Sequence, residues 1–347
     1  MLENLSALAV VPKAKAIAAR RLSHSDYLEL ARKRSVIEVM AALQNHPYFK
    51  DSLAGISQTN LHREQLEQAL AKDVFFKYES LTRYLMGRDR FAQFFVRRCE
   101  VNELLAKLRL LAMGYRHHYI VQLPGFLLHK TCFSLIDLAK AETARDVLPV
   151  LTGTPYAKVL AGLLPADGSP PDPLACEHAL WTYFYTSVLK ALGTGSGAAE
   201  TKELFLMEAE EYNLDLLYRA KAFFAQSLPP RRLRALLLPV YGVLPQKRLL
   251  ALADAPDLAA FLRLYNASRA RQVYGARAGD VRAASSVPAG RQLYRRALRL
   301  LHMSSRPETV LTALLCLARM ERGNIVNVIE GVRYGLSPED IEQFLKY

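Results

Sequence analysis

The chain has 347 residues, of which 51% are hydrophobic, and a formal net charge of +13. This length and apolar content allow two or three domains with sizeable cores and exclude a globally disordered chain. The four cysteines form neither a CxxC pair nor a cluster with histidine at metal-ligand spacing, so we expect reduced thiols and no metal site. No window approaches the roughly 18 apolar residues of a membrane span. Residues 1–20 lack a signal-peptide pattern. Reduced thiols are typical of a cytosolic protein, so we expect a cytoplasmic location.

The apolar residues recur at helical spacing along most of the chain. Residues 98–115 predict a helix with one apolar stripe, and residues 306–324 predict another, with Pro307 in the first turn and Gly323 near the end. The short apolar runs 94–98 and 119–123 lie inside or beside such patterns and are assigned to helix or loop. The stripe of the first helix consists of Val101, Leu104, Leu105, Leu108 and Ala112.

Breakers rich in glycine, proline and serine separate these helical segments. They predict loops at 163–175, 193–197, 227–232 and 276–290. Since sustained period-two patterns are hard to find, the expected fold class is all-α.

Two motifs recur with a period near 110 residues. Residues 30–43 match 138–151 at an offset of 108, and a third copy, 249–262, lies 111 residues further on. The first two copies are each followed by a Pro-Tyr pair, which ends in Tyr48 and Tyr156, whereas the third copy lacks it. The order and spacing predict three similar units, 1–125, 126–235 and 236–347, of a kind longer than the usual solenoid repeat.

A second motif follows each copy and pairs an acid with an asparagine. Glu100 and Asn102 match Glu211 and Asn213, and the third instance has Glu321 and Asn324 with one extra residue between them. Each asparagine is expected to open a helix that ends in a basic residue: Arg109, Lys221 or Arg333. An acid and an asparagine at a helix start can cap free backbone N–H groups, and we favour this role over ligand binding, which stays open.

The candidates for an active site are few. The glycine-rich segment 193–197 has no lysine at P-loop spacing and is expected to be a flexible loop. His117 and His118 are adjacent, so they point to different sides of a helix and are expected at the surface. A solvated helix face is expected for the acids Glu208, Glu210 and Glu211, and a core cluster for the aromatic residues Trp181, Tyr183, Phe184 and Tyr185. We therefore expect no enzyme: no catalytic residue, no cofactor, no metal and no small-molecule substrate.

Most of the excess positive charge lies in residues 227–299, which hold 14 Arg/Lys against three acids. Such a stretch suits an acidic protein, lipid headgroups or nucleic acid, and the alternative is a solvated basic face with no dedicated partner. The alternative function is therefore a helical nucleic-acid-binding protein that uses this stretch, although no recognised nucleic-acid-binding motif accompanies it. The residues concerned are Arg231, Arg232, Arg234, Arg269, Arg271, Arg277, Arg282, Arg291, Arg295, Arg296 and Arg299, with Tyr265, Tyr274 and Tyr294 interleaved.

The order of the motifs resembles the C subunits of V/A-type rotary ATPases (ATP synthases), the family of the eukaryotic V-ATPase d subunit. The closing segment 321–345 carries the family's pattern of an acid, Asn-Ile, Gly-x-basic and Gly-Leu before a final helix. The opening residues 16–49 look like the family's start, so the resemblance covers essentially the whole chain. The matching residues of the closing segment are Glu321, Asn324, Ile325, Gly331, Arg333, Gly335 and Leu336. The chain departs from the family in its strongly basic charge and in the missing third Pro-Tyr pair.

The resemblance implies a fold and a mechanical role. It implies three similar helical bundles in a pseudo-threefold, funnel-shaped arrangement. It further implies a non-catalytic central-stalk subunit, peripheral to the membrane, that couples the rotor shaft (subunits of the D and F types) to the proteolipid ring during ATP-driven ion transport or ATP synthesis. No nucleic acid is expected as a partner in that case. The basic residues are then expected to face acidic rotor residues or headgroups around the ring.

Overall fold

The computed structural model describes residues 2–57, 63–85, 91–193, 198–275 and 290–347, and these residues form helices, turns and loops without a strand. The predicted all-α class is confirmed for this part of the chain. The predicted loops at 193–197 and 276–290 lie almost wholly outside the described residues, as do Arg277 and Arg282.

Six of the described α-helices have 17 or more residues, and the others have 13 or fewer. In chain order they are α1 (Leu2–Ala18), α2 (His24–Ala31), α3 (Val36–Asn45), α4 (Lys50–Leu53), α5 (Arg63–Thr82), α6 (Phe94–Ala112), α7 (Leu135–Lys140), α8 (Ala144–Val150), α9 (Pro155–Leu160), α10 (Pro173–Ala191), α11 (Ala199–Phe223), α12 (Pro230–Ala235), α13 (Gln246–Asp254), α14 (Leu258–Asn266), α15 (Arg269–Tyr274), α16 (Arg291–Met303), α17 (Pro307–Arg333) and α18 (Pro338–Gln343).

Local sequence sets where many of these helices begin. Ser23 caps α2 in a capping box with Asp26, and Asp172 accepts hydrogen bonds from two backbone N–H groups at the start of α10. Pro307 occupies the first turn of α17, as predicted, because a proline there forfeits no helical hydrogen bond.

Three predicted boundaries are corrected by the structure. Gly323 does not lie near a helix end, because α17 continues ten residues beyond it to Arg333. The predicted loop 227–232 contains the start of α12 at Pro230, and the predicted loop 163–175 ends where α10 begins at Pro173. In both segments the proline starts a helix and does not break one, because a proline in the first turn forfeits no helical hydrogen bond.

The chain forms two compact units. The first contains Met1–Arg88, Thr194–Arg231 and Tyr241–Tyr347, and the second contains Asp89–Gly193 and Arg232–Val240. In the first unit, one apolar core joins both ends of the chain, because side chains of α2 and α3 pack with Ile325 and Val328 of α17 and Ile341 of α18. In the second unit, α6 packs against α10. The described helices include none that is long and apolar enough to cross a bilayer.

Candidate functional site

Three buried glutamates define the most informative polar sites of the molecule. Glu100 lies in α6, Glu210 in α11 and Glu321 in α17, and their exposed fractions are 4%, 1% and 1%. A buried carboxylate is costly unless hydrogen bonds or a cation compensate for the lost water. For each of these carboxylates the hydrogen-bond donors come from a segment distant in sequence. We call the three sites the glutamate centres.

The first glutamate centre lies in the second unit. Glu100 accepts hydrogen bonds from the backbone N–H of Cys132 at 2.7 Å and from the hydroxyl of Tyr156 at 2.7 Å. Burial, followed by the charge of Glu100, raises the pKa of the Cys132 thiol to about 12. The same two causes keep the pKa of Tyr156 far above its ordinary value, so the hydroxyl stays a donor.

The second glutamate centre lies in the first unit and has three donors. Glu210 accepts hydrogen bonds from the backbone N–H groups of Val243 at 2.9 Å and Leu244 at 2.6 Å, and from the hydroxyl of Tyr274 at 2.6 Å. The Tyr274 hydroxyl therefore donates to Glu210 as the Tyr156 hydroxyl donates to Glu100 in the first centre. The third sequence copy lacks the Pro-Tyr pair, but a tyrosine from a different position of the chain supplies the hydroxyl.

The third glutamate centre joins the two ends of the chain. Glu321 accepts a hydrogen bond from the backbone N–H of Leu22 at 3.2 Å and forms an ion pair with Arg21 at 3.5 Å. The side chains of Arg21 and Glu321 are 6% and 1% exposed. The charge of Glu321 is one of the causes that raise the pKa of the buried Tyr48 hydroxyl, after burial itself. Tyr48 is the repeat counterpart of Tyr156.

The backbone donors of the three centres follow the internal repeat. Leu22, Cys132 and Val243 are spaced by 110 and 111 residues, which is also the spacing of Glu100, Glu210 and Glu321. The predicted repeat of an acid is thus present, but its second member is Glu210 and not Glu211. The signal that would have found it is the distance of three residues between an acid and the buried asparagine, which Glu210 and Asn213 share with Glu321 and Asn324.

The expected role of the acids and asparagines at helix starts is wrong. Glu210 and Glu321 lie in the middle of long helices, and the N–H groups they bind belong to other segments. Asn102 is exposed, whereas Asn324 is buried and exchanges two 2.9 Å hydrogen bonds with the backbone of Lys346. Of the expected helix-ending basic residues, Lys221 is buried and donates to the carbonyl of Ala253 at 2.9 Å.

The other candidates for chemistry lie on separate elements. His117 and His118 are both exposed, as expected. Phe184 and Tyr185 are buried, while Trp181 and Tyr183 are half-buried; the guanidinium of Arg98 lies 4.5 Å from the ring centre of Phe184. Glu208 pairs with Arg319, and Glu210 is buried, so the predicted solvated acidic face is wrong for these two. Within the described ranges no group of three or more His, Cys, Asp or Glu side chains could hold a metal ion.

The basic stretch presents exposed charge, but two of its three interleaved tyrosines are buried and the third, Tyr294, is half-buried. Arg231, Arg234, Arg269, Arg271, Arg295 and Arg299 are exposed, whereas Arg296 pairs with Glu203 and Arg232 with Asp172. Tyr265 and Tyr274 are buried, and their hydroxyls are bonded to Gly275 and Glu210. Since base stacking needs an accessible ring, these two tyrosines do not form the stacking platform that a nucleic-acid site of this kind would use.

The described part of the chain is thus an all-helical protein whose repeated acids bind its own backbone. A model of the ATP synthase (C/AC39) subunit family matches residues 10–344, and the chain belongs to this family. The resemblance to the C subunits of V/A-type ATPases is thereby confirmed.

Several curated proteins are similar over part of their length. The C subunit of the A-type ATP synthase of Thermococcus onnurineus is 27% identical over 212 residues, which is 60% of this chain and 55% of that protein. The corresponding protein of Thermococcus kodakarensis is 25% identical over 231 residues, 65% of this chain and 60% of that protein. That of a Desulfurococcus species is 30% identical over 152 residues, 43% and 40% of the two chains. The matches thus span about half the length of these relatives.

Proposed function

We propose that this chain is a non-catalytic central-stalk subunit of a V/A-type rotary ATPase. It couples the rotor shaft, with subunits of the D and F types, to the membrane proteolipid ring during ATP-driven ion transport or ATP synthesis. The family match over residues 10–344 carries this proposal. In this function the chain is cytoplasmic, and it is held at the membrane peripherally through the complex.

The three glutamate centres support the architectural part of the proposal. A torque-transmitting subunit needs stiffness, and each centre locks a long helix to a distant segment through a buried carboxylate. The centres at Glu100, Glu210 and Glu321 repeat with a constant spacing, and the third is completed by the N-terminal residues Arg21 and Leu22. This pattern suits three helical bundles around a pseudo-threefold axis, and we retain the division at 1–125, 126–235 and 236–347 as part of the proposal.

The exposed arginines support electrostatic docking to acidic partners. Arg295 and Arg299 lie one turn apart on α16, and residues 290–306 contain no acid that could neutralise them. Exposed charge pairs orient and accelerate docking, and they weaken as salt is added. Binding to the shaft subunits or to the ring is therefore expected to fall between low and physiological ionic strength.

The test of the proposal is a pull-down from the native membrane fraction with the tagged chain, in which the co-purifying proteins are identified by mass spectrometry. Recovery of proteolipid, shaft and catalytic ATPase subunits is expected. Recovery of nucleic acid or ribosomal proteins without any ATPase subunit would overturn the proposal and would support the nucleic-acid alternative.

A further inference from the structure

The third glutamate centre differs from the other two at one carboxylate oxygen. In the first centre, Oε2 of Glu100 accepts a hydrogen bond from the hydroxyl of Tyr156 at 2.7 Å. In the second centre, Oε2 of Glu210 accepts one from the hydroxyl of Tyr274 at 2.6 Å. Among the described residues, none donates a hydrogen bond to Oε2 of Glu321. The atom that a tyrosine satisfies in two centres is therefore left unpaired in the third.

Three further polar atoms at the third centre are buried without a hydrogen-bond partner in the part of the chain that the structure describes. They are the hydroxyl oxygens of Tyr27 and Tyr48 and the Nε atom of Arg21. Tyr27 and Tyr48 are 1% and 8% exposed, and the side chain of Arg21 is 6% exposed. Folded proteins pair nearly all of their buried polar groups, because an unpaired one has lost water without compensation. Four unpaired atoms at one centre therefore indicate a shared partner.

The four atoms lie around one carboxylate. Nε of Arg21 is 3.5 Å from Oε2 of Glu321, which is an ion-pair distance, but no hydrogen bond joins the two atoms. After burial, the charge of Glu321 is the largest cause that raises the pKa of Tyr27, and the same holds for Tyr48. Both hydroxyls are therefore close enough to the carboxylate to sense its charge.

The charges at the third centre are balanced, which favours a neutral molecule as the shared partner. Glu321 pairs with Arg21, and Asp73 of α5 pairs with Lys77. Nζ of Lys77 lies 3.8 Å from the ring centre of Tyr48, so the second ion pair borders the same site. These two cations and two carboxylates cancel, and an added ion would bring an uncompensated charge into the interior.

We propose that the third glutamate centre binds a buried water molecule. Water offers two hydrogens and two lone pairs. Nε of Arg21 can only donate, Oε2 of Glu321 can only accept, and each tyrosine hydroxyl can do either. One water molecule thus accepts from Arg21 and from one tyrosine, and donates to Glu321 and to the other tyrosine. Internal waters characteristically bind buried polar groups that have no other partner.

The water belongs to the link between the two ends of the chain. Arg21 precedes α2, Tyr27 lies in α2, and Glu321 lies in the C-terminal helix α17. Tyr48 is the repeat counterpart of Tyr156, which contacts its glutamate directly. In the third centre the same connection between tyrosine and glutamate runs through the water.

The test is a crystal structure of the full-length chain at a resolution that shows ordered water. A density peak is expected at hydrogen-bond distance, about 2.7–3.2 Å, from Oε2 of Glu321 and from the hydroxyl of Tyr27 or Tyr48. The first two centres are internal controls, because their direct bonds are expected to have no water between tyrosine and glutamate.

Three crystallographic results overturn the inference. The first is a direct hydrogen bond between the Tyr48 hydroxyl and Oε2 of Glu321. The second is an absence of density between these groups. The third is a peak with several oxygen ligands at about 2.0–2.6 Å, which is the signature of a metal ion.

A measurement in solution tests the same site independently. Magnetic relaxation dispersion of the water oxygen nuclei reports long-lived internal water. Arg21→Met/Glu321→Leu removes the obligatory donor and the obligatory acceptor, so the amplitude of the dispersion is expected to fall by the contribution of one molecule. The control Arg20→Met changes an exposed neighbour in sequence and is expected to keep the amplitude. An unchanged amplitude in the folded double variant overturns the inference.

Circular dichroism and the thermal unfolding midpoint establish whether the double variant is folded. If it is not, the crystal structure of the unaltered chain decides alone, since it needs no variant. Neither measurement involves a partner of the ATPase, so failure of the water site and failure of the proposed function are separate results.

Discussion

The hydroxyl of Tyr156 donates a 2.7 Å hydrogen bond to the carboxylate of Glu100, a residue 56 positions earlier in the chain. The tyrosine belongs to the repeated Pro-Tyr pair and the glutamate to the repeated acid. The two repeated motifs therefore meet in space, and the repeat is a pattern of contacts as well as of residues.

Removal of this hydroxyl is expected to destabilise the second unit. Tyr156→Phe leaves a buried carboxylate without one of its two donors, which costs about 1–3 kcal/mol of unfolding free energy. Urea unfolding followed by circular dichroism measures the change. The control is Tyr115→Phe at an exposed side chain, where about 0.5 kcal/mol or less is expected. Equal stability of the two variants would contradict the role assigned to Tyr156.

The thiol of Cys132 is expected to react slowly, although part of the residue is exposed to solvent. Its pKa of about 12 leaves little thiolate near neutral pH, because burial of the sulfur and the charge of Glu100 oppose ionisation. Since the thiolate is the nucleophile, the rate of alkylation should rise about tenfold per pH unit up to about pH 11. Mass spectrometry of the labelled peptide measures the rate.

Removal of the Glu100 charge tests whether this charge raises the pKa of the Cys132 thiol. Glu100→Gln lowers the pKa of Cys132 and should accelerate its alkylation at constant pH, on condition that circular dichroism shows a folded chain. Rapid labelling of the unaltered chain near neutral pH, or no acceleration in the variant, would show that Glu100 does not control this thiol.

The ion pair of the third centre is expected to hold the two chain ends together. Arg21→Met leaves Glu321 buried without its cation, which costs about 3–5 kcal/mol. The matched control is Arg20→Met, since Arg20 is the exposed neighbour in sequence. The double variant Arg21→Met/Glu321→Leu should recover part of the loss, because no buried charge remains. A double variant that is less stable than Arg21→Met alone would contradict this account.

Two glycines of α17 should respond in opposite directions to alanine. At Gly331 a Cβ atom would lie 2.5 Å from Cγ1 of the buried Ile341, so Gly331→Ala must displace α18 or the isoleucine and should cost about 1–3 kcal/mol. Gly323 is exposed in the middle of the helix with nothing within 4 Å of a Cβ atom. Gly323→Ala should therefore stabilise the chain by about 0.5–1 kcal/mol.

Thermal and urea unfolding of both variants check this prediction. The double variant Gly331→Ala/Ile341→Ala tests whether the loss of stability comes from the contact with Ile341. Shortening the isoleucine should make the added methyl group less destabilising. A destabilised Gly323→Ala would mean that the glycine is needed for a contact that the structure does not show.

Helical periodicity, the internal repeat and the family could all be determined from the sequence alone. These features are visible because they depend on spacing: apolar residues every three or four positions, and motifs every 110 or so. Of the predicted stripe, Val101, Leu104, Leu105 and Leu108 are buried, since helix geometry by itself places these side chains on one face, and Ala112 at its end is half-buried.

Only the tertiary structure decided what the repeated residues do. The helix register made Glu210 and not Glu211 the buried acid: adjacent residues on a helix point about 100° apart, and at this position Glu210 faces the interior while Glu211 is half-buried. Tyr274 was recognisable as the partner of Glu210 only from the fold, since it occupies no repeated position. The pairing of Glu321 with Arg21 and Leu22 joins residues about 300 positions apart. Contacts of that length depend on how the whole chain packs, which no local spacing encodes.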